Sequence, residues 1–133
     1  MQYMCLIYGD ENGAATLSED DRNAMFAAYG EFTESIKSSG HMVGGDALHP
    51  ASTATTVRVR DGETLVTDGP FAETKEQLGG YYLLDCEDLD EALEWAAKIP
   101  SLPRGGAVEV RPALVFDDPG TDQQPVHEGQ ASA

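Results

Sequence analysis

The chemistry-bearing residues of this chain gather around one short run, Asp68-Gly69-Pro70-Phe71, with Glu73, Lys75 and Glu76 close behind it. A carboxylate at the mouth of an apolar barrel has its pKa raised and can act as a general acid or base, which makes Asp68 a candidate catalytic residue. The plainer account is a turn in which the Asp68 carboxylate bonds its own backbone. His49 is the candidate proton carrier, because histidine is the side chain suited to proton transfer at physiological pH, although His49-Pro50 is also what a simple connection at a strand exit looks like. Arg58 and Arg60 are the one closely spaced basic pair. They either anchor an anionic ligand near Asp68 or line a hairpin edge opposite Glu63. Gly69, Pro70, Phe71 and Lys75 complete the expected ligand-binding set.

Other chemistry finds little footing. There is no GxGxxG after a strand, no P-loop, no GxSxG, no HExxH and no paired CxxC. His41, His49 and His127 do not stand in helical register with another ligand, so neither a metal site nor a cofactor is expected. Eight Lys and Arg against 24 Asp and Glu give a net charge of -16, which repels phosphate backbones and anionic membranes. Direct nucleic-acid binding and membrane binding are therefore not expected. The amino terminus has no signal-peptide pattern and no apolar stretch is long enough to span a bilayer, so we expect a cytoplasmic protein. Cys5 and Cys86 each lie in an apolar run and read as buried, reduced thiols.

The elements that must position these residues follow from periodicity. Residues 2 to 8 are apolar on both alternating faces, Tyr3, Cys5 and Ile7 on one and Met4, Leu6 and Tyr8 on the other. After a polar turn, Ser18 with Glu19, Asp20 and Asp21 predicts a helix start, and Met25, Tyr29, Phe32 and Ile36 form its apolar stripe up to Gly40. His41, just past that glycine, is placed to answer the negative end of the helix. Residues 41 to 48 read as a strand in which Gly44-Gly45 makes either a bulge or a close approach to a ligand. Asp61-Gly62 predicts a type I′ hairpin pairing Arg60 with Glu63 and Val59 with Thr64, its Val57, Val59, Thr64 and Val66 face turned to the core. Gly79-Gly80 leads into the strand YYLLDC, Asp88 caps a helix with the stripe Leu89, Leu93 and Ala96, and a last strand spans roughly 107 to 114. Phe71, Tyr81 and Tyr82 read as core and interface aromatics. Residues 1–115 thus make one domain, and 116–133 lose apolar periodicity and read as a mobile acidic and polar tail.

This order fits an α+β ferredoxin-like sandwich, an antiparallel sheet with two helices on one face. Two central strands apolar on both faces then need a second cover, and a second copy of the chain supplies it, which predicts a homodimer. The runs DGPF with AETKEQLGGYYLL, VGGDAL, HPASTATTVRVRDG and DLDEALEWAAKIP resemble, in order, the pattern of the YCII-related or DGPF-domain family over about residues 1–115. The resemblance implies a dimeric α+β barrel, a likeness to small isomerases of the muconolactone type, and a His-Asp active pair. In the YCII relatives the histidine lies on the first helix; here Ser18 to Ser39 contains none, so that residue does not carry over. The DGPF branch often stands beside sigma-factor partners, which implies regulation. The expected function is a dimer that binds an unknown small molecule near Asp68, Arg58 and His49. Its enzyme form would perform isomerase-like or lyase-like proton transfer. The alternative is a non-catalytic ligand-sensing or regulatory module linked to sigma-factor transcription control.

Overall fold

A computed structural model describes residues 1–116. The elements run β1 (Gln2–Gly9), α1 (Glu11–Ala15), α2 (Glu19–Ser38), β2 (Met42–Ala47), β3 (Thr55–Arg60), β4 (Glu63–Asp68), β5 (Gln77–Asp85), α3 (Leu89–Ala96) and β6 (Ala107–Pro112). Single 3-10 turns at Ala51–Thr53 and Leu102–Arg104 join them. The expected tail, apart from its first residue, lies outside the described residues.

Local chemistry sets the helix ends. Ser18 Oγ accepts the Asp21 amide at 3.0 Å, satisfying an orphan donor of α2, and three acids occupy the first turn, where the dipole favours them. At the far end Gly40 takes φ +83° and His41 N–H reaches back to the Ile36 carbonyl, closing the helix. Asp88 caps α3 through the Glu91 amide. The segment after β1, expected to be a polar turn, is instead the short helix α1, which Asp10 caps by accepting the Asn12 amide at 2.9 Å.

The main sheet has the order β2-β5-β1-β6 with every neighbour antiparallel, the ferredoxin-like arrangement the sequence predicts. Tyr3, Cys5 and Ile7 of β1 pair with Leu84, Tyr82 and Gly80 of β5, so one face of the sheet presents a continuous apolar surface. Phe32 and Ile36 of α2 and Ala92, Ala96 and Ile99 of the α3 region close over that same face. Phe32 packs edge-on against Tyr82 with ring centroids 5.2 Å apart, a favoured aromatic geometry. The α3 stripe differs from the predicted one. Leu89 and Leu93 are exposed and Ala92 and Ala96 face the sheet, because small side chains let the helix approach closely while Trp95 fills the flank. Cys5 and Cys86 are buried free thiols as expected, and burial pushes the Cys5 thiol up to about 11. Met4, Leu6, Tyr8, Tyr81 and Leu83 alternate onto the opposite face, half-buried, with no helix above them.

The hairpin forms in the predicted register, Val57 with Val66 and Val59 with Thr64, with Asp61 and Gly62 at φ +53° and +79° as the type I′ turn demands. Its placement corrects the sequence reading. β3 and β4 make a separate two-stranded sheet, and Val57, Val59 and Val66 are 61%, 69% and 64% exposed. The apolar face therefore turns away from this chain's core, because the hairpin is an insertion between β2 and β5 and pairs with neither.

Candidate functional site

A cleft of about 620 Å³ opens between α2 and the helix-covered face of the sheet, within the usual range for small-molecule sites. Gly45 and Gly80 lie on its floor, and neither position admits a side chain. A Cβ on Gly45 would lie 2.8 Å from the Tyr81 carbonyl oxygen and 2.9 Å from Tyr82 Cδ1; on Gly80 it would lie 2.9 Å from the Asp46 carbonyl oxygen. The tight approach of β2 to β5 thus requires glycine, and at Gly45 the Tyr82 ring packs where a side chain would stand. Above the floor, Met25 and Tyr29 of the predicted α2 stripe line the hollow together with Thr33, while Phe32 and Ile36 of that stripe are buried in the core.

The cleft wall is mostly apolar and carries two hydroxyl pairs. Tyr29 Oη donates to Ser101 Oγ at 2.9 Å, and Thr33 Oγ1 and Tyr82 Oη share a hydrogen bond at 2.7 Å. Burial, more than any partner, pushes the Tyr29 phenol above its ordinary pKa, so its neutral form is favoured. Tyr81, whose hydroxyl donates to Asp46 Oδ2 at 2.7 Å, is raised chiefly by that hydrogen bond. At the mouth α1 is tied down on both sides. The Glu11 amide donates to Gln77 Oε1 at 3.0 Å, Gln77 Nε2 donates to the Thr74 carbonyl at 2.7 Å, and the Ala51 amide donates to Glu11 Oε2 at 2.9 Å. Both segments flanking the inserted hairpin are thereby joined to the cleft's rim.

The sequence-predicted residues lie on the insertion and around it. Gly69, at φ +102°, turns the chain out of β4; its amide donates to Ala54 and its carbonyl accepts from Thr56 Oγ1. Arg58 Nη2 donates to the Phe71 carbonyl at 3.3 Å, which brings Arg58 to the loop of Gly69, Pro70 and Phe71. Phe71 itself is 78% exposed, so it is not part of this chain's core. Asp68, His49, Arg60 and Lys75 are exposed, and their side chains make no hydrogen bond or ion pair among the described residues. None of these eight residues lines the cleft. His41, by contrast, does answer the end of α2: Ser39 Oγ lies 2.8 Å from its Nδ1, and Glu91 Oε2 lies 3.3 Å from its Nε2.

With this architecture in view, comparison with known proteins decides the family. The YCII-related domain matches residues 1–117, nearly all of the chain. The chain belongs to the YCII-related family. A relative from Rhizobium meliloti (strain 1021), an uncharacterised protein, is 38% identical over 117 residues, which span 87% of this chain and 94% of the relative. Among the described residues no helix is long and apolar enough to cross a membrane, and no group of three or more His, Cys, Asp or Glu is placed to hold a metal ion.

Sequence reasoning passed over the residues that build this YCII-related cleft. Gly44-Gly45 was legible as a bulge or a close approach, and the register does shift between Met42 and Gly44. Gly79-Gly80 read as a strand opening, but β5 starts earlier, at Gln77, and both glycines lie inside it. Two glycine pairs on adjacent strands are the signal for the close approach of β2 to β5 at the cleft floor. Nothing in local sequence reports that Ser101 meets Tyr29, a contact 72 residues apart.

Proposed function

We propose that this YCII-related protein is a homodimer that binds a small organic molecule in the cleft between α2 and the glycine-paved sheet. The observation that carries the reading is the 620 Å³ hollow itself, held open where close packing would otherwise close it. Binding without turnover fits best. The acid–base candidates Asp68 and His49 are both exposed and lie apart from the hydroxyl-lined wall. A ligand-sensing role, including the regulatory one that the family resemblance implies, needs only occupancy of the cleft and a surface that changes with it. α1 and the insertion are coupled to the rim for that purpose through Glu11 and Gln77.

The dimer is supported by what one chain leaves uncovered. Among the described residues the face bearing Met4, Leu6, Tyr81 and Leu83 has no second layer, and an isolated two-stranded hairpin with three exposed valines is marginal in water. A second copy covers both. The acid–base reading keeps one support: the Asp68 to Phe71 loop, with Arg58 beside it, connects to the cleft's rim through Thr74 and Gln77. In that version Asp68 and His49 move the proton, while Arg58, Arg60 and Lys75 hold an anionic group.

Native mass spectrometry of protein purified from cells tests the main reading. We expect a non-covalent small-molecule adduct on the wild type that is lost in Met25→Trp, whose indole fills the cleft. An adduct retained by Met25→Trp, or no adduct and no thermal shift with any member of a metabolite library, would sink it.

A further inference from the structure

The polar groups of the cleft carry the reading one step further, to the class of ligand, and the step rests on the cleft being the binding site. We infer that the cleft takes a neutral, flat, largely apolar molecule carrying a hydrogen-bond-accepting oxygen such as a carbonyl, which the two hydroxyl pairs on its wall recognise.

Three observations converge. The first is hydrogen accounting. In each pair two hydroxyl groups share one hydrogen bond, so each pair keeps one O–H unspent. Tyr29 donates to Ser101 Oγ, which leaves the Ser101 hydrogen; between Thr33 and Tyr82, whichever group accepts keeps its own. The wall therefore offers two donors, both in a partly buried, apolar setting where an unmatched hydroxyl is costly. Burial favours the neutral phenol at Tyr29, so it remains a donor to Ser101 rather than an anion.

Charge is the second. The carboxylates on the rim are already engaged: Asp10 Oδ1 caps α1, Glu11 Oε2 accepts the Ala51 amide, and Asp46 Oδ2 accepts the Tyr81 hydroxyl. The one cation of the lining, Arg22, is exposed and donates to the Leu17 carbonyl. The donors to those carboxylates are neutral, so the lining keeps three carboxylates against one cation among the described residues, and this, with a chain of net charge -16, disfavours an anionic ligand. Shape is the third. The floor is strand backbone at Gly45 and Gly80 with the Tyr82 ring and the Met42 methyl against Gly45, and Met25 and Phe26, the last 83% exposed, line the α2 side. Thioethers and aromatic rings favour a flat, apolar body.

The test uses three naphthalene probes followed by fluorescence titration on the full chain: 6-propionyl-2-dimethylaminonaphthalene, which carries a carbonyl; 2-dimethylaminonaphthalene, which lacks it; and the anionic 6-(p-toluidino)naphthalene-2-sulfonate. We expect the carbonyl probe to bind about tenfold tighter than the carbonyl-free one, the worth of roughly one well-made hydrogen bond, and the anion to bind weakest. The double substitutions Tyr29→Phe/Ser101→Ala and Thr33→Val/Tyr82→Phe should shrink the preference for the carbonyl while leaving the carbonyl-free probe's affinity within about twofold. Carbonyl and carbonyl-free probes that bind equally well, with Met25→Trp abolishing both, would overturn the ligand class and leave the cleft as the site. Binding that ignores Met25→Trp would overturn the site as well. Far-ultraviolet circular dichroism of every variant confirms that a lost preference is not a lost fold; if one pair proves intolerant of substitution, the other pair decides.

Discussion

β1 and the β3–β4 hairpin carry equally regular alternation of apolar residues, yet they end in opposite environments. Tyr3, Cys5 and Ile7 are buried beneath α2 and α3, whereas Val57, Val59 and Val66 of the insertion are more than half exposed. Alternation states which face of a strand is apolar. What covers that face is decided by connectivity, because β1 is paired on both edges within the main sheet while the hairpin hangs between β2 and β5 and pairs only with itself. The difference separates a region whose apolar face is covered within the chain from one whose apolar face is left exposed.

The strongest way to break this contrast is to delete volume in each region. Ile36 is fully buried, so Ile36→Ala should lower the unfolding free energy by about 2–5 kcal/mol in urea denaturation, through lost transfer energy and the cavity left behind. Val59→Ala, measured at protein concentrations where the chain is monomeric, should change it by less than about 0.5 kcal/mol. Comparable losses at both sites would mean that the hairpin is part of the same cooperative core.

Next in size is the effect of charge on the proposed partner surface. Val57 and Val66 stand directly opposite each other, so Val57→Asp/Val66→Asp places two carboxylates side by side on the hairpin's apolar face. We expect size-exclusion chromatography with light scattering to show the dimer weakened by at least about a hundredfold, with helix content unchanged. A dimer of undiminished stability would mean that the second copy does not cover the hairpin. Leu6→Glu probes the open sheet face in the same way. Leu84 of β5, by contrast, is buried on the helix side and would report on folding instead.

Much of the fold was legible because it is written in short-range chemistry. Ser18 and Asp88 as caps, Gly40 as a stop, Asp61-Gly62 as the turn, and the order of strands and helices each follow from local preferences that the structure obeys. The candidate site was less legible. Attention fell on Asp68 to Phe71 because packing does not explain those residue types, and the structure places them on an exposed insertion. The cleft is lined by Gly45 and Gly80, where β2 and β5 pack too closely for a Cβ, and by pairs such as Tyr29 with Ser101 that only tertiary folding brings together. α3 shows the same limit, since a stripe chosen by size selects Leu89 and Leu93 while the sheet selects alanine.

The glycines that shape the cleft allow a finer comparison within one strand. Gly44 has open space where a Cβ would project, and Gly45 has the Tyr81 backbone and the Tyr82 ring. Gly45→Ala should therefore cost about 1–3 kcal/mol in thermal or urea unfolding, the usual range for overpacking, while Gly44→Ala stays within about 0.5 kcal/mol. Equal effects would mean that β2 can move away from β5, and that the cleft floor is softer than its close contacts imply.

The smallest expected effect tests the residue to which the sequence first drew attention. Asp68 sits at the end of β4, exposed, its carboxylate without a hydrogen bond or ion pair among the described residues, and Asn preserves its shape while removing its charge. Asp68→Asn should leave stability within about 0.5 kcal/mol, because exposed positions away from caps and networks tolerate change. Affinity for the carbonyl-bearing naphthalene probe should also stay within about twofold, since the hydroxyl wall and not the insertion makes the contact. A larger loss of affinity, or loss of turnover of a natural ligand once one is recovered from cells, would return Asp68 to the reacting centre. It would also show that the insertion closes over the cleft in the working protein, which would make the hairpin and the sheet parts of one site rather than two regions of different kind.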